Sequence, residues 1–379
     1  MRPIYRAAPR CDIRFAQINA LDLGMSYWYG ASRRGFSLVL RRPLVRKIAM
    51  EVETGDAVMQ PAWWSDFHSD DIDGLSEHLR SFQWRYDQLD PGTFLGRIAE
   101  IDLPGVTVFR EQLSRSTRQV GTTPPGTLGL ALPWNQSGEI WANGVRMTEG
   151  YVGVSAYAEV EFFTASESDF AYVLIDSDAI DHAAARTGVA LPRDLRDSAT
   201  IALLPEGAKL ALRQLFAVAH GRLGAPPETL HSDVARRLLA DQFVLEFIEV
   251  FSSGISATER SVAFRTRMVK RAREVMHGHT EDPLSILDVC KQVGVSRRKL
   301  NYCFQDVLGT TPLAYMRAIR LNGARREMLA CARGDSVSEI AGKWGFWHFG
   351  RFATDYKRHF GELPSQTLQR GREKRMRGS

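Results

Sequence analysis

Arg297, Arg298, Asn301, Tyr302 and Gln305 share one side of a segment whose other side carries Leu300, Cys303, Phe304, Val307 and Leu308. Apolar residues recurring every three or four positions define an amphipathic helix, so the polar set is displayed outward. Guanidinium, amide and phenol groups on a protruding helix are the donors and acceptors that reach base edges and phosphates in a major groove. A second set stands about fifty residues further on. There Phe349, Phe352, Ala353, Tyr356 and Phe360 form an apolar stripe, and the outer face carries His348, Gly350, Arg351, Thr354, Lys357 and Arg358.

Each set needs a helix before it to hold it against a groove. Ile286, Val289, Cys290 and Val293 make a short stripe that Gly294 ends, and Ser296 is a natural N-cap for the helix that follows. Gly309 closes that helix. Ser336 and Glu339 are spaced as a capping box; Val337, Ile340, Ala341 and Trp344 form the inner stripe of the next helix, and Gly345 makes the turn. Helix, tight turn and polar-faced helix is the helix-turn-helix arrangement, in which the second helix enters the groove. Residues 312–332 read as one helix of about 20 residues, or about 30 Å, close to the ~34 Å repeat of duplex DNA. Trp344, Phe346, Trp347, Phe352 and Phe360 are expected in the cores of these units. His348 is either a phosphate contact or a plain surface residue at a helix start. The tail with Arg370, Arg372, Lys374, Arg375 and Arg377 is expected to be a frayed, solvated end, with salt-sensitive, non-specific affinity for DNA as the alternative.

Charge follows the same division. Residues 261–379 carry 23 Lys and Arg against 11 Asp and Glu, while the remainder is net acidic by seven. That asymmetry points the C-terminal third at a polyanion. At 379 residues, 44% hydrophobic and 25% charged, the chain reads as an ordinary globular protein of two domains. No run of about 18 uncharged apolar residues and no secretory h-region is present, so a cytoplasmic location with no membrane span is expected. Cys11, Cys290, Cys303 and Cys331 lack metal-binding spacing and read as free thiols.

Residues 93–176 alternate short apolar runs with Gly, Pro, Asn and Asp, which implies an antiparallel β-sandwich or barrel. Two helices follow, near 204–223 and 227–252. The second carries Leu230, Val234, Leu238, Phe247, Ile248 and Phe251, a stripe for the sandwich or for a second subunit, hence a homodimer contact. Trp134, Trp141, Tyr151, Phe162 and Tyr172 are candidates for an apolar effector pocket, although plain core is the alternative for each. The segment 93–176 holds no histidine, and the chain has no Gly-x-Ser-x-Gly, Walker or His-Glu-x-x-His motif. No cofactor, metal site or catalytic residue is therefore expected. An architectural DNA-binding protein without effector, or a barrel enzyme fused to a DNA-binding module, are the competing readings.

The C-terminal third resembles the AraC/XylS family of transcription regulators. The resemblance rests on Gly294-Val295-Ser296 with Leu300 and Phe304, Gly309-Thr310-Thr311-Pro312 with Tyr315, Arg320-Leu321 with Ala324, Ile340-Ala341, Gly345-Phe346, Phe352 and Phe360-Gly361-Glu362-Leu363-Pro364-Ser365. It implies that Arg298, Asn301 and Tyr302 face bases in the first unit, and Phe349, Gly350 and Arg351 in the second. Phe349-Gly350 departs from the family by offering no hydrogen-bonding side chain, so readout there falls to Arg351, to a thymine methyl contact or to backbone positioning. The resemblance also implies a cupin-like sensor domain and RNA polymerase as a partner. Within the family, Phe82 to Leu89, Pro91-Gly92-Thr93-Phe94, Val108-Phe109-Arg110-Glu111, Gly345-Phe346-Trp347-His348-Phe349 and Thr354-Asp355-Tyr356 resemble the ethanolamine-operon regulators. That narrower kinship implies ethanolamine, or a related amine, with a cobalamin as effectors.

The resulting expectation is an α+β protein: an N-terminal extension over 1–58, a sensing and dimerisation domain over 59–251, a linker over 252–262, a double helix-turn-helix domain over 263–370 and a basic tail over 371–379. Met59, just ahead of Gln60-Pro61-Ala62-Trp63-Trp64, is expected to begin the folded protein. The expected function is a small-effector-responsive, sequence-specific transcription activator that binds double-stranded DNA.

Overall fold

The computed structural model describes residues 61–379 apart from 80–83, 136–139, 148–150, 156–158, 192–199, 205, 222–225, 253–263, 280–283, 332–333 and 379. The extension 1–58, Met59 and almost all of the linker 252–262 lie outside the described residues.

Period-two alternation builds the N-terminal part. Strands β1 (Trp64–Ser69), β3 (Gly96–Leu103), β4 (Val106–Leu113), β11 (Ser168–Asp176), β6 (Thr127–Asn135), β9 (Tyr151–Ser155) and β12 (Thr200–Leu203) pair in that order into one sheet. Strands β2 (Arg85–Gln88), β5 (Thr117–Gly121), β10 (Val160–Thr164), β7 (Ile140–Ala142) and β8 (Val145–Met147) form the second. The pairings described are all antiparallel. The centre of the larger sheet is buried on both faces because alternate residues of β3, β4 and β11 serve two cores. Ile101, Val108, Leu130, Leu132, Val173 and Ile175 pack outward under helices. Ile98, Phe109 and Leu174 pack on the opposite side.

The covering helices are α2 (Ser177–Thr187), α3 (Glu206–His220) and α4 (Asp233–Ser252), with α1 (Ile72–His78) after the first strand. Phe216, Phe243, Phe247, Ile248 and Phe251 seal the sheet. The expected stripe of α4 is only partly inward: Val234 and Leu238 are 66% and 60% exposed. The helix is apolar around most of its circumference, and a sheet covers one side of it.

Local cap chemistry fixes the C-terminal helices: α5 (Phe264–Gly278), α6 (Ile286–Val293), α7 (Arg297–Leu308), α8 (Pro312–Ala330), α9 (Val337–Lys343), α10 (Phe349–Phe360) and α11 (Pro364–Gly378). The Ser296 side chain accepts from the Lys299 N–H, and Ser336 with Glu339 forms the reciprocal capping box. Gly294 ends α6 in the left-handed region at φ 75°, where a Cβ is costly. A second capping box, Ser285 with Asp288, starts α6.

Helix α8 spans about 28 Å at 1.5 Å per residue and serves two separate cores. Tyr315, Met316 and Ile319 join α5, α6 and α7. Leu321, Ala324 and Met328 join α9, α10 and α11. Gly323 lies under the Trp344 indole so closely that a Cβ there would come within 2.2 Å of the ring. The tail is not frayed, contrary to expectation: α11 continues through residues 371–378, Gly371 is buried against the Leu329 backbone, and Arg372 donates to the Asp335 carbonyl at 2.8 Å. The backbone of Leu329 and the Asp335 carbonyl anchor its first turn, while residues 373–376 are exposed to solvent as expected.

The two parts meet along β2, an edge strand whose backbone groups would otherwise lack a strand partner. The Asn322 amide of α8 supplies one. Its Oδ1 accepts the Gln88 N–H at 3.0 Å and its Nδ2 donates to the Gln88 carbonyl at 2.8 Å. The Gln88 side chain donates to the His359 carbonyl at 2.7 Å, and Arg326 pairs with the buried Asp87 at 2.6 Å.

Candidate nucleic-acid interface and effector cavity

Burial of Leu300, Cys303, Phe304 and Val307 turns Arg297, Arg298, Asn301, Tyr302 and Gln305 to solvent on α7. Tyr302 is 62% exposed, and the Arg298 guanidinium sits 5.6 Å from its ring centroid, one helical turn away. The guanidinium also donates to the Tyr302 hydroxyl at 3.4 Å, so the two side chains form one pair on the exposed face.

On α10, Phe349, Gly350, Arg351, Lys357 and Arg358 are likewise exposed, above a buried Phe352, Tyr356 and Phe360. Asp355, nearly buried, gathers three cations: it pairs with Arg317 of α8, with Arg358 at 3.0 Å and with Arg351 at 3.8 Å. Partial burial, together with Arg351 and Arg358, depresses the Arg317 pKa. One carboxylate among three guanidiniums leaves this surface positive. The C-terminal end of α10 is the part that meets β2, through His359, while its N-terminal end with Phe349, Gly350 and Arg351 faces outward.

A groove lined by Leu287, Arg297, Leu313, Arg320, Gly345 and Trp347 brings the start of α7 and the turn before α10 onto one surface. Trp347, expected in the core, is 73% exposed. Its neighbours Trp344 and Phe346 fill the core that it was expected to share, and the sequence pattern alone does not distinguish the three.

The sandwich leaves a small cavity of about 50 Å3 between its sheets, lined by Trp84, Tyr86, Phe109, Glu111, Gln119, Phe162 and Tyr172 among others. Of the five candidates for the apolar pocket, Phe162 and Tyr172 line this cavity. Trp134 and Trp141 do not. Trp134 shares the parity of Leu130 and Leu132 and points to the helix-covered face, against Phe216 and beneath Arg110 and Arg213. Trp141 alternates with the inward Ile140 and Ala142 and packs toward the helical domain. The side chain of Tyr151 lies outside the described residues. Sequence reading missed Trp84, Tyr86, Glu111 and Gln119; only the alternation within β2, β4 and β5, read against a known inner face, would have found them.

Glu111 is 1% exposed. It accepts from the hydroxyls of Tyr86 at 2.5 Å and Tyr172 at 2.6 Å and from the Gln119 amide at 2.9 Å. Burial raises its pKa against those three lowering hydrogen bonds. Among the described residues no cluster of three His, Cys, Asp or Glu is placed to hold a metal, and no helix is long and apolar enough to cross a membrane.

Two exposed polar helices on capped pairs define a helix-turn-helix DNA-binding protein, and known proteins agree. Residues 289–370 match the helix-turn-helix domain family. The probable thc operon regulatory protein of Rhodococcus erythropolis is 43% identical over 103 residues, 27% of this chain and 31% of that one. The XylDLEGF operon transcriptional activator 2 of Pseudomonas putida is 34% identical over 146 residues, 37% of this chain and 76% of the relative. A solved chain, a probable AraC family transcriptional regulator from Rhodopseudomonas palustris, is 32% identical and covers 28% of this chain and 97% of its own, with a TM-score of 0.27. The chain belongs to the AraC/XylS family of helix-turn-helix transcription regulators. The relatives named here are regulators, not enzymes. The chain spans about a third of the length of most of the curated relatives it matches.

Proposed function

We propose that the protein is a cytoplasmic, ligand-responsive transcription activator that reads DNA with two helix-turn-helix units. The observation that carries the reading is the fully exposed donor face of α7 over a buried apolar one. Arg298, Asn301 and Tyr302 read bases in the first unit; Phe349, Gly350 and Arg351 do so in the second; Arg297, Lys357 and Arg358 meet phosphates. RNA polymerase is the partner of an activator, and the exposed Val234 and Leu238 of α4 suit a homodimer contact. The N-terminal sandwich acts as the cupin-like sensor and holds a small molecule between its sheets. Ethanolamine is the candidate that the narrower resemblance implies; a corrinoid macrocycle is far larger than a cavity of about 50 Å3. Ligand and DNA are coupled by a population shift, which requires the ligand to prefer one arrangement of β2 and α8.

Duplexes selected from a random pool should share a motif with half-sites one helical turn apart. Arg298→Ala should weaken binding to that motif by about 1 to 3 kcal/mol, the worth of a bidentate base contact. Random DNA should be held as before. An equal loss on both would reduce Arg298 to a phosphate contact, and a pool without enrichment would overturn sequence-specific reading. Lys357→Ala should weaken both duplexes alike and lower the slope of log affinity against log salt by about one. An unchanged slope would remove Lys357 from the interface.

A further inference from the structure

An arc of aromatic rings bounds the space between the two sheets. Trp84 stacks near Phe162 at 5.9 Å and meets Tyr86 edge-on at 6.5 Å. Phe162 meets Phe170 at 6.4 Å, and Phe170 stacks on Tyr172 at 5.9 Å. Both ends of this aromatic arc, Tyr86 and Tyr172, donate their hydroxyls to the one carboxylate of Glu111. Five rings and one carboxylate therefore make a circuit.

The charges of that circuit are lopsided. The groups facing Glu111 are Tyr86 from β2, Gln119 from β5 and Tyr172 from β11, all neutral donors. Burial and the neighbouring carboxylate hold both phenols well above their ordinary range, so they keep their protons. No Lys, Arg or His lines the cavity among the described residues. A carboxylate has about four acceptor positions, and three are taken. A buried carboxylate without a cation is costly, and aromatic faces carry a negative quadrupole that attracts ammonium groups. A ligand that brings one positive charge satisfies both.

We propose that the cavity is a site for a small organic ammonium ion, with Glu111 as its counter-charge and Trp84, Tyr86, Phe162 and Tyr172 as its aromatic box. This rests on reading the sandwich as the sensor. The lining disfavours anions because Glu111 is the one charged side chain among its lining residues; the Thr123 hydroxyl, buried there without a partner, is a neutral donor or acceptor.

Calorimetric titration of the full chain at neutral pH with ethylammonium, ethanol and acetate, probes small enough for the cavity, separates charge from shape. Ethylammonium should bind at least tenfold more tightly than ethanol, and acetate should give no heat. Glu111→Gln should abolish the advantage of ethylammonium and leave ethanol within about twofold. Tyr172→Phe, which keeps the carboxylate, should retain the order of the three ligands; this second variant and the unmodified ladder decide the matter if Glu111→Gln does not fold. Ethanol or acetate binding as tightly as ethylammonium, or no binding by any of the three, would overturn the assignment. Ethylammonium bound with no change in DNA affinity would instead sink the sensor reading and leave the ammonium site standing.

Discussion

Replacing Arg325 by Met should lower the stability of the folded chain by about 3 to 5 kcal/mol at neutral pH, the cost of removing one partner from a buried ion cluster. Arg325 lies on α8 with its side chain only 4% exposed. Its Nη2 meets Asp71 at 2.8 Å, its Nε meets Asp73 at 3.0 Å, and it also pairs with Glu362. The guanidinium carbon sits 4.8 Å from the Phe360 ring centroid. Methionine keeps the length of the stem, so the loss is one of charge. Three carboxylates from two parts of the chain would then lose their shared guanidinium; Arg370 would still reach Asp71 at 3.3 Å and Glu362 at 2.9 Å, which leaves Asp73 without its ion-pair partner. Burial outweighs Arg325 at Asp73 and pushes its pKa up to about 6. Burial would also raise Asp71, but there the guanidinium prevails and the pKa is lowered. Protonation of Asp73 relieves part of the repulsion in the variant, so its deficit should be smaller at pH 5 than at pH 7.5. Urea midpoints at the two pH values measure both effects. A deficit below about 1 kcal/mol would class Arg325 with ordinary surface pairs.

What the sequence made legible follows from how local each signal is. Ser296, Gly294, Gly309 and the Ser336–Glu339 box act within one helical turn, so their chemistry needs no knowledge of the fold, and they stand where expected. The donor face of α7 follows from them. Strand alternation is equally local, but it says only that two sets of residues point apart. Which set faces the cavity depends on the partner sheet and the covering helices. Trp134 and Trp141 accordingly fell on outer faces, while Glu111, charged and surface-like in the sequence, is inside. The Asn322–Gln88 contact spans 234 positions, and no pattern on either side announces it.

Strand β2 is where these non-local facts converge. Tyr86 points into the cavity and hydrogen-bonds Glu111, whereas the next residues, Asp87 and Gln88, hold Arg326 and Asn322 of α8. A ligand that competes with Tyr86 for Glu111 therefore acts one residue away from the contacts that seat the DNA-reading helices. Differential contact of that kind is what a population shift needs.

The same junction should make the protein acid-labile. His359 Nε2 lies 3.0 Å from the Gln88 carbonyl, and His277 Nε2 lies 3.0 Å from the Tyr315 hydroxyl. Burial, against the raising effect of the Gln88 carbonyl and with the help of Arg358, Arg317 and Arg325, lowers the His359 pKa to about 4. Burial first, then Arg118, brings His277 to about 3. Unfolded histidines titrate near 6.5, so between pH 6.5 and 4 the unfolded chain binds protons that the folded chain refuses. Stability is therefore complete above pH 6.5 and falls as pH drops through that window. At about 1.4 kcal/mol per unit, His359 alone should account for about 2 kcal/mol between pH 7.5 and pH 5. His359→Gln keeps a donor for the Gln88 carbonyl but does not titrate, so the stability difference between the two pH values should shrink by about that amount relative to the unmodified chain. Taking the difference cancels the carboxylates common to both proteins. A pH profile that His359→Gln leaves unchanged would mean that the imidazole takes up its proton in the folded state without cost, and that the seat of α10 on β2 is open to water.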